Sequence, residues 1–251
     1  MTQNLRIAIC QFPVTPDIKE NTKSICGFMK KAAKNQSHLI HFPETALSGY
    51  GEMDLSNGDW QMLEDNTKEI IILAEKLNLW VVLGSCRKVE NTEKPANCIY
   101  VISNTGKTAG IYDKQKLTSG ESAIYTAGKD FLVIKINGIK CGFLICHELC
   151  FPVLFETYRK QGVQIIFHSC YNISKKHRPL FQELALAQTR IRAADNQIWI
   201  SSSNSSARIS YSTACLARPD GSVRRSKKHK AGILFHDFPD KEVGWIYDNQ
   251  K

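Results

Sequence analysis

Long hydrophobic segments are missing from this sequence. No apolar run approaches the roughly 20 residues that a transmembrane helix needs. The first apolar segment, Leu5–Phe12, is short and alternating and meets Pro13, so it differs from the apolar core of a signal peptide. We therefore expect a soluble, cytoplasmic protein with no membrane partner.

The spacing of a disulfide framework is also absent. The chain has 9 cysteines, an odd number, and most of them lie within strand-like runs. Small secreted domains instead place an even number of cysteines at regular intervals. We interpret the cysteines as reduced thiols, in agreement with a cytosolic location.

Charged residues are few, and linkers and repeats are not seen. Only 23% of the 251 residues are charged, against 43% that are hydrophobic. This balance excludes a disordered chain and allows a large core to be buried. Because no internal repeat or domain boundary interrupts the pattern, we predict a single domain over residues 1–251.

The charges present are mostly positive, with a formal net charge of +9. Part of the excess lies in two short clusters, residues 175–178 and 224–230. Neither cluster contains interleaved aromatic residues on which bases could stack. We interpret both as solvated loops and expect no nucleic acid partner, with attraction of anionic substrates as a second interpretation.

Hydrophobic periodicity predicts alternating helices and strands. Helices are predicted near residues 19–34, 60–77, 153–161 and 180–196. Asn137-Gly138 lies between two apolar runs and predicts a hairpin, while residues 118–122 and the serine-rich residues 202–206 are predicted as loops. Hairpins among alternating helices and strands require mixed sheets, so the predicted fold is α/β, a four-layer α-β-β-α sandwich with two mixed sheets.

One cysteine stands out by its position. Cys146 ends the apolar run that begins at Cys141, and the pattern turns helical after Pro152. At such a junction the next backbone N–H groups favour a thiolate and any oxyanion that it generates. The alternative is an ordinary buried cysteine, which is common in proteins.

Two charged residues also follow strand-like runs. Glu44 comes directly after the run that ends at Phe42, where an unpaired carboxylate would be costly. Its alternative role is a helix cap, but the glycines that follow favour a loop. Lys114 follows the second strand of a predicted hairpin and, taken alone, would be a surface residue.

A metal cluster built from Cys141, Cys146, His147 and Cys150 is a further alternative. Strand alternation, however, places Cys141 and Cys146 on opposite faces. No second Cys/His pair lies at the spacing of a zinc site. We predict no metal and no cofactor.

In three segments the chain resembles the nitrilase superfamily, the carbon–nitrogen hydrolases that use a Glu-Lys-Cys triad. The matching segments are Phe42-Pro43-Glu44, Tyr112-Asp113-Lys114-Gln115-Lys116-Leu117 and Gly142–Pro152. Further support comes from Glu121-Ser122 with Gly128, from residues 192–197 and from Pro219-Asp220-Gly221. The resemblance covers nearly the whole chain and implies the same α-β-β-α fold, usually as a homodimer.

The resemblance also implies roles for individual residues. Cys146 is expected to be the nucleophile, Glu44 the general base and Lys114 the partner of the developing oxyanion, together with the backbone N–H of His147. Glu121 matches a second glutamate that orients the lysine and the substrate. His147 and Glu148 are expected to border the substrate site.

The expected reaction is hydrolysis of a small amide or N-carbamoyl compound through a cysteine thioester. The alternatives are a nitrilase that acts on R–C≡N and, from a different class, an inactive basic binding protein. The chain departs from the family pattern at Cys150, where an arginine is common, and at Lys116, where a histidine is common. The first departure leaves the charge network and the substrate class open.

Overall fold

The computed structural model describes residues 4–50, 57–174 and 179–239, with residues 57 and 58 described by their backbone only. The predicted basic cluster at residues 175–178 lies outside the described residues. Within the described residues, no helix has both the length and the apolar character needed to cross a bilayer. The helices are α1 (Ile18–Lys34), α2 (Asn57–Lys76), α3 (Ser119–Ile124), α4 (Pro152–Lys160) and α5 (Pro179–Asn196).

The strands form two sheets. They are β1 (Leu5–Phe12), β2 (Leu39–His41), β3 (Trp80–Arg87), β4 (Ala96–Ile102), β5 (Thr108–Asp113), β6 (Val133–Ile136), β7 (Ile139–Ile145), β8 (Ile165–Ser169), β9 (Trp199–Ser205), β10 (Cys215–Ala217), β11 (Val223–Arg225) and β12 (Gly232–Phe238). The first sheet runs β5-β4-β3-β2-β1-β12 and the second β6-β7-β8-β9-β10-β11. They join where the end of β1 pairs with the end of β9.

Both sheets are mixed, as predicted. In the first sheet β1, β2 and β3 are parallel, while β3, β4, β5 and β12 add antiparallel pairs. In the second, β7, β8 and β9 are parallel and the outer strands antiparallel. The hairpin predicted at Asn137-Gly138 is confirmed as the β6–β7 turn, where both residues have positive φ.

Strand β1 shows how the layers form. Its odd-numbered residues, such as Ile7 and Ile9, share a buried cluster with Phe143 of the second sheet. Its even-numbered residues, such as Ala8, share another cluster with Ile25 of α1 and other helical residues. Successive strand residues point to opposite faces, so this strand is covered by a sheet on one side and by helices on the other.

Helix α4 covers the outer face of the second sheet. A Cβ at Gly142 of β7 would lie 2.8 Å from the ring of Tyr158 in α4, so only glycine allows this close approach. Ala193 of α5 belongs to the same buried cluster as Tyr158. The order of layers is therefore helices, sheet, sheet, helices, which confirms the predicted sandwich.

Two local predictions were wrong. Residues 202–205 are not a loop but the buried end of β9. Their hydroxyl groups find partners inside the protein; Ser203 Oγ, for example, donates to the Cys10 carbonyl at 2.6 Å. Serine can therefore occupy a buried strand whenever a backbone acceptor lies within reach.

Residues 118–122 are likewise not a loop. They begin α3, in which the Thr118 side chain caps the helix and the Glu121 carboxylate accepts a hydrogen bond from the Thr118 N–H. This reciprocal arrangement is a capping box, whose signature Thr-x-x-Glu is visible in the sequence.

Candidate active site

The candidate residues lie at one end of the two sheets. Strands β2 and β3 are parallel and β3, β4 and β5 alternate in direction, so β2 and β5 end at the same edge. Glu44 follows β2 and Lys114 follows β5, while Cys146 directly follows β7 of the second sheet. Side chains that are distant in sequence are thereby gathered in one place.

Glu44 is completely buried and accepts three hydrogen bonds. Its Oε1 accepts from Asn97 Nδ2 and from Lys114 Nζ, both at 2.8 Å, and its Oε2 accepts from the Tyr171 N–H at 2.9 Å. Gly84 of β3 permits this placement, because a Cβ there would lie only 2.9 Å from the Glu44 Cα. Three donors facing one carboxyl group match an ionised carboxylate.

Lys114 is 1% exposed and bridges two glutamates. Its ammonium lies 2.8 Å from Glu44 Oε1 and 2.5 Å from Glu121 Oε1. Burial by itself would lower the pKa of Lys114, but the carboxylates of Glu44 and Glu121 outweigh it and raise the pKa well above its usual value. The lysine is therefore a permanent cation within the site.

Glu121 is held by its helix as well as by the lysine. Its Oε2 accepts from the Thr118 N–H at 2.8 Å, and its Oε1 also accepts from the Tyr50 hydroxyl at 3.2 Å. Burial acts to raise the pKa of Glu121, but the Lys114 ammonium and the Thr118 N–H lower it below its usual value. Glu121 is thus fixed as a carboxylate beside the lysine.

Cys146 begins a 3₁₀ helix, Cys146–Cys150, and has φ 45°, in the left-handed region. Such a backbone is costly for a non-glycine residue and is found preferentially at functional sites. Its half-buried thiol donates to Asn172 Oδ1 at 3.3 Å. Burial and then Glu44 raise the pKa of Cys146 well above its usual value, while Lys114 lowers it. The resting sulfur is therefore a thiol.

Glu148 is buried beneath these residues and receives only uncharged donors. Its Oε1 accepts from the Tyr112 hydroxyl and the Gln115 N–H, both at 2.8 Å, and its Oε2 from the Ile145 N–H at 2.6 Å. Burial raises the pKa of Glu148 to about 7, although these donors lower it in part. Glu148 thereby connects the backbone next to Lys114 with the backbone next to Cys146.

The structure brings most of the predicted residues together. Glu44, Lys114 and Glu121 are in direct contact, and the charges of Glu44 and Lys114 both act on Cys146. His147 is half-buried, and its ring packs edge-on against Phe151 at 5.3 Å.

Several contributing residues were not predicted from the sequence. Asn97 holds Glu44, Asn172 holds the thiol, and Tyr50 stacks on Tyr171 at 4.9 Å beside the two glutamates. Tyr50 lies between two glycines, a pattern that indicates close approach. No comparable local signal marks the two asparagines.

The arrangement supplies what cleavage of a C–N bond needs. It provides a thiol, a carboxylate to accept its proton, and a cation to meet negative charge on a carbonyl oxygen. The fold and site together are those of a layered α/β protein whose site can support attack of a thiol on a carbonyl carbon.

Comparison with known proteins agrees with this class. The family model described as carbon-nitrogen hydrolase matches residues 6–244, so the chain belongs to the carbon–nitrogen hydrolase family. The resemblance inferred from the sequence motifs is confirmed. The chain is 21% identical to the omega-amidase NIT2 of Homo sapiens, over 97% of this chain and 91% of the relative.

Solved structures share the fold. A glutamate-to-glutamine mutant of the amidase from Nesterenkonia sp. AN1, with the acetamide moiety of fluoroacetamide added covalently at its active-site cysteine, aligns with a TM-score of 0.82 and 18% identity over 94% of this chain and 90% of that one. The glutamine-dependent NAD+ synthetase from Acinetobacter baumannii aligns with a TM-score of 0.80 and 20% identity. The match covers 95% of this chain but 46% of the synthetase chain.

Proposed function

We propose that the protein hydrolyses a small linear amide or N-carbamoyl compound, with Cys146 as nucleophile, Glu44 as general base and Lys114 as the electrostatic partner of the oxyanion. The observation that carries the proposal is the buried Lys114 ammonium, which lies 2.8 Å from Glu44 and whose charge lowers the pKa of the Cys146 thiol. Amidase relatives that span nearly the whole chain support the substrate class.

In the first half-reaction the thiol proton passes to Glu44 as Sγ bonds to the amide carbon. The thiol is protonated at rest, so deprotonation accompanies attack. The negative charge on the carbonyl oxygen is stabilised by Lys114 and by the His147 N–H. When the C–N bond breaks, nitrogen takes the proton from Glu44 and leaves as ammonia or an amine.

In the second half-reaction water attacks the thioester and Glu44 accepts a proton from it. The tetrahedral species collapses, the C–S bond breaks, and the sulfur regains its proton from Glu44. The net change is amide plus water to acid plus amine. Glu121 holds Lys114 throughout and, with His147, borders the substrate site, while Glu148 supports the site from beneath.

A panel of small amides, N-carbamoyl compounds and nitriles tests the proposal by ammonia release. We expect turnover of at least one amide, loss of that turnover in Cys146→Ala, and a covalent acyl adduct on the wild-type protein by mass spectrometry. Cys150→Ala is the matched control, because this nearby cysteine is exposed. Retained turnover in Cys146→Ala would refute the mechanism, and turnover of nitriles alone would establish a nitrilase.

We propose that the protein is a homodimer joined through the layer of α4 and α5. These two helices pack together and expose large apolar side chains, among them Val153, Leu180, Leu184 and Ile191. Light scattering should give a dimer mass for the wild type and a smaller mass for Leu184→Asp/Ile191→Asp. Ile72→Asp, which changes an exposed residue of α2, should stay dimeric.

We propose further that the chain is one domain in a reducing, cytoplasmic compartment. The two sheets share a buried cluster, and the family model spans residues 6–244. All nine cysteines are free thiols, which fits a reducing environment. A single cooperative unfolding transition and cytosolic fractionation are the expected results, and two separate transitions would contradict the single domain.

A further inference from the structure

A buried polar cluster lies directly behind the proposed nucleophile. His168 of β8 is 1% exposed, and its Nε2 lies 3.0 Å from the Cys146 carbonyl oxygen. Nδ1 of the ring lies 3.4 Å from Ser202 Oγ, and Cys170 Sγ lies 3.3 Å from Nδ1 and 3.4 Å from Nε2. The proposed mechanism does not use any of these three side chains.

The partners of His168 determine which nitrogen carries its proton. A carbonyl oxygen can only accept, so Nε2 must donate to Cys146. Burial lowers the pKa of His168 to about 4, and the ring is therefore neutral near pH 7. A neutral ring with a proton on Nε2 has Nδ1 as an acceptor, and the Cys170 thiol and the Ser202 hydroxyl are both able to donate to it.

The bond to the Cys146 carbonyl also orients the next N–H. The peptide unit between Cys146 and His147 is planar, and in a trans peptide C=O and N–H point in opposite directions. A donor that holds the carbonyl on the His168 side therefore turns the His147 N–H away from His168. Polarisation along the peptide also strengthens that N–H as a donor.

We propose that His168 is a positioning residue that locks the Cys146–His147 peptide so that the His147 N–H faces the oxyanion. Cys146 needs such a lock because its φ of 45° is unfavourable for a side-chain-bearing residue and must be held by its surroundings. Cys170 and Ser202 act one step further out by keeping the Nε2–H tautomer. The inference rests on the proposed function and deepens it.

Three variants separate this role from simple packing. His168→Phe keeps a ring of similar size but removes both hydrogen-bonding nitrogens, and His168→Gln restores a donor for the Cys146 carbonyl. Tyr158→Phe is the matched control. The Tyr158 hydroxyl donates at 2.8 Å to the carbonyl of Phe143, which lies in β7 three residues before Cys146. Each variant is first checked for folding by circular dichroism.

Two rates are then compared in each variant. One is kcat for the amide substrate, and the other is alkylation of Cys146 by iodoacetamide, read by mass spectrometry. Alkylation needs the sulfur but forms no oxyanion. We expect His168→Phe to lower kcat about 10- to 100-fold, with KM and the alkylation rate changed less than about threefold. His168→Gln should recover most of kcat, and Tyr158→Phe should keep it.

An unchanged kcat in folded His168→Phe, or an equal fall in kcat and alkylation, would overturn the proposal. If His168→Phe does not fold, the ¹⁵N spectrum of the wild-type imidazole decides instead. A neutral Nε2–H tautomer at pH 7 supports the proposal, and an Nδ1–H tautomer or an imidazolium ion overturns it. If the wild type hydrolyses no amide, the proposed function fails separately, while the tautomer remains measurable.

Discussion

The two sides of the site hold buried polar groups in different ways. On one side Glu44, Lys114 and Glu121 are charged and satisfy each other as ions. On the other side His168, Cys170 and Ser202 are neutral and satisfy each other through a fixed tautomer. Both groups are almost completely buried.

The difference follows from what each side has to do. Burying an ion is costly unless an opposite charge repays it, and the charged side keeps ions because the proposed reaction transfers a proton and develops an oxyanion there. The neutral side only has to hold a backbone group in place. Neutral hydrogen bonds achieve this without adding a charge beside the thiol.

The largest expected effect comes from removing the cation. In Lys114→Met, Glu44 and Glu121 would face each other in a buried site without a counter-ion. We expect kcat to fall on the order of 10²–10³-fold, and unfolding free energy to fall by about 3–5 kcal/mol. Ammonia-release kinetics and urea unfolding measure the two effects.

Lys116→Met is the control for this change, because the Lys116 ammonium lies over the Phe151 ring at 5.6 Å and has no buried counter-ion among the contacts described. It should change unfolding free energy by less than about 1 kcal/mol. Equal effects in the two variants would show that the charged side has no special role.

The next effect is a pH dependence on the neutral side. The pKa of His168 is lowered from 6.5 to about 4, so the unfolded chain binds this proton more readily than the folded chain. Its contribution to stability is complete above pH 6.5 and is lost as the pH falls toward 4. Relative to His168→Gln, the wild type should lose about 1.4 kcal/mol per pH unit in that window. This expectation is contradicted if urea unfolding gives the same difference in unfolding free energy between the wild type and His168→Gln at pH 7 and at pH 5.

Glu148 should respond to pH with the opposite sign. Its pKa is raised from 4.5 to about 7, so its favourable contribution is complete below pH 4.5 and is lost as the pH rises through 7. Glu148→Gln would also set an amide against N–H donors, at a cost of about 1–3 kcal/mol. We expect kcat to fall roughly tenfold.

Glu156 is exposed, so Glu156→Gln serves as the control for Glu148→Gln. It should change the unfolding free energy by less than about 0.5 kcal/mol and leave kcat unchanged. If Glu148→Gln has the wild-type kcat at all pH values, the link that Glu148 makes between the ends of β5 and β7 is not needed for turnover.

The smallest effect is expected at the rim of the charged side. Tyr50→Phe removes the 3.2 Å hydrogen bond to Glu121 but keeps the ring that stacks on Tyr171. Because Glu121 retains Lys114 and the Thr118 N–H, we expect kcat/KM to fall about fivefold, corresponding to about 1 kcal/mol. A loss as large as that of Lys114→Met would mean that Tyr50 takes part in the chemistry.

Much of the fold was predictable because its signals are local. Apolar spacing predicted a helix near residues 180–196, and the structure has this helix at Pro179–Asn196. The Asn137-Gly138 pair predicted the turn between β6 and β7. The serine-rich end of β9 was mispredicted, since a polar residue in a strand is acceptable only when a distant acceptor meets it. For Ser203 that acceptor is Cys10, 193 residues away.

The sequence by itself determined the order of α1, α2, α4 and α5 among the strands and the three strand ends that carry Glu44, Lys114 and Cys146. These features depend on periodicity and turn chemistry over a few neighbouring residues. Only the tertiary structure decided which donors meet each group: Asn97 and Lys114 at Glu44, and His168 at the Cys146 carbonyl. Such contacts join residues 22 to 70 positions apart, and local patterns carry no record of which distant side chain completes a buried hydrogen bond.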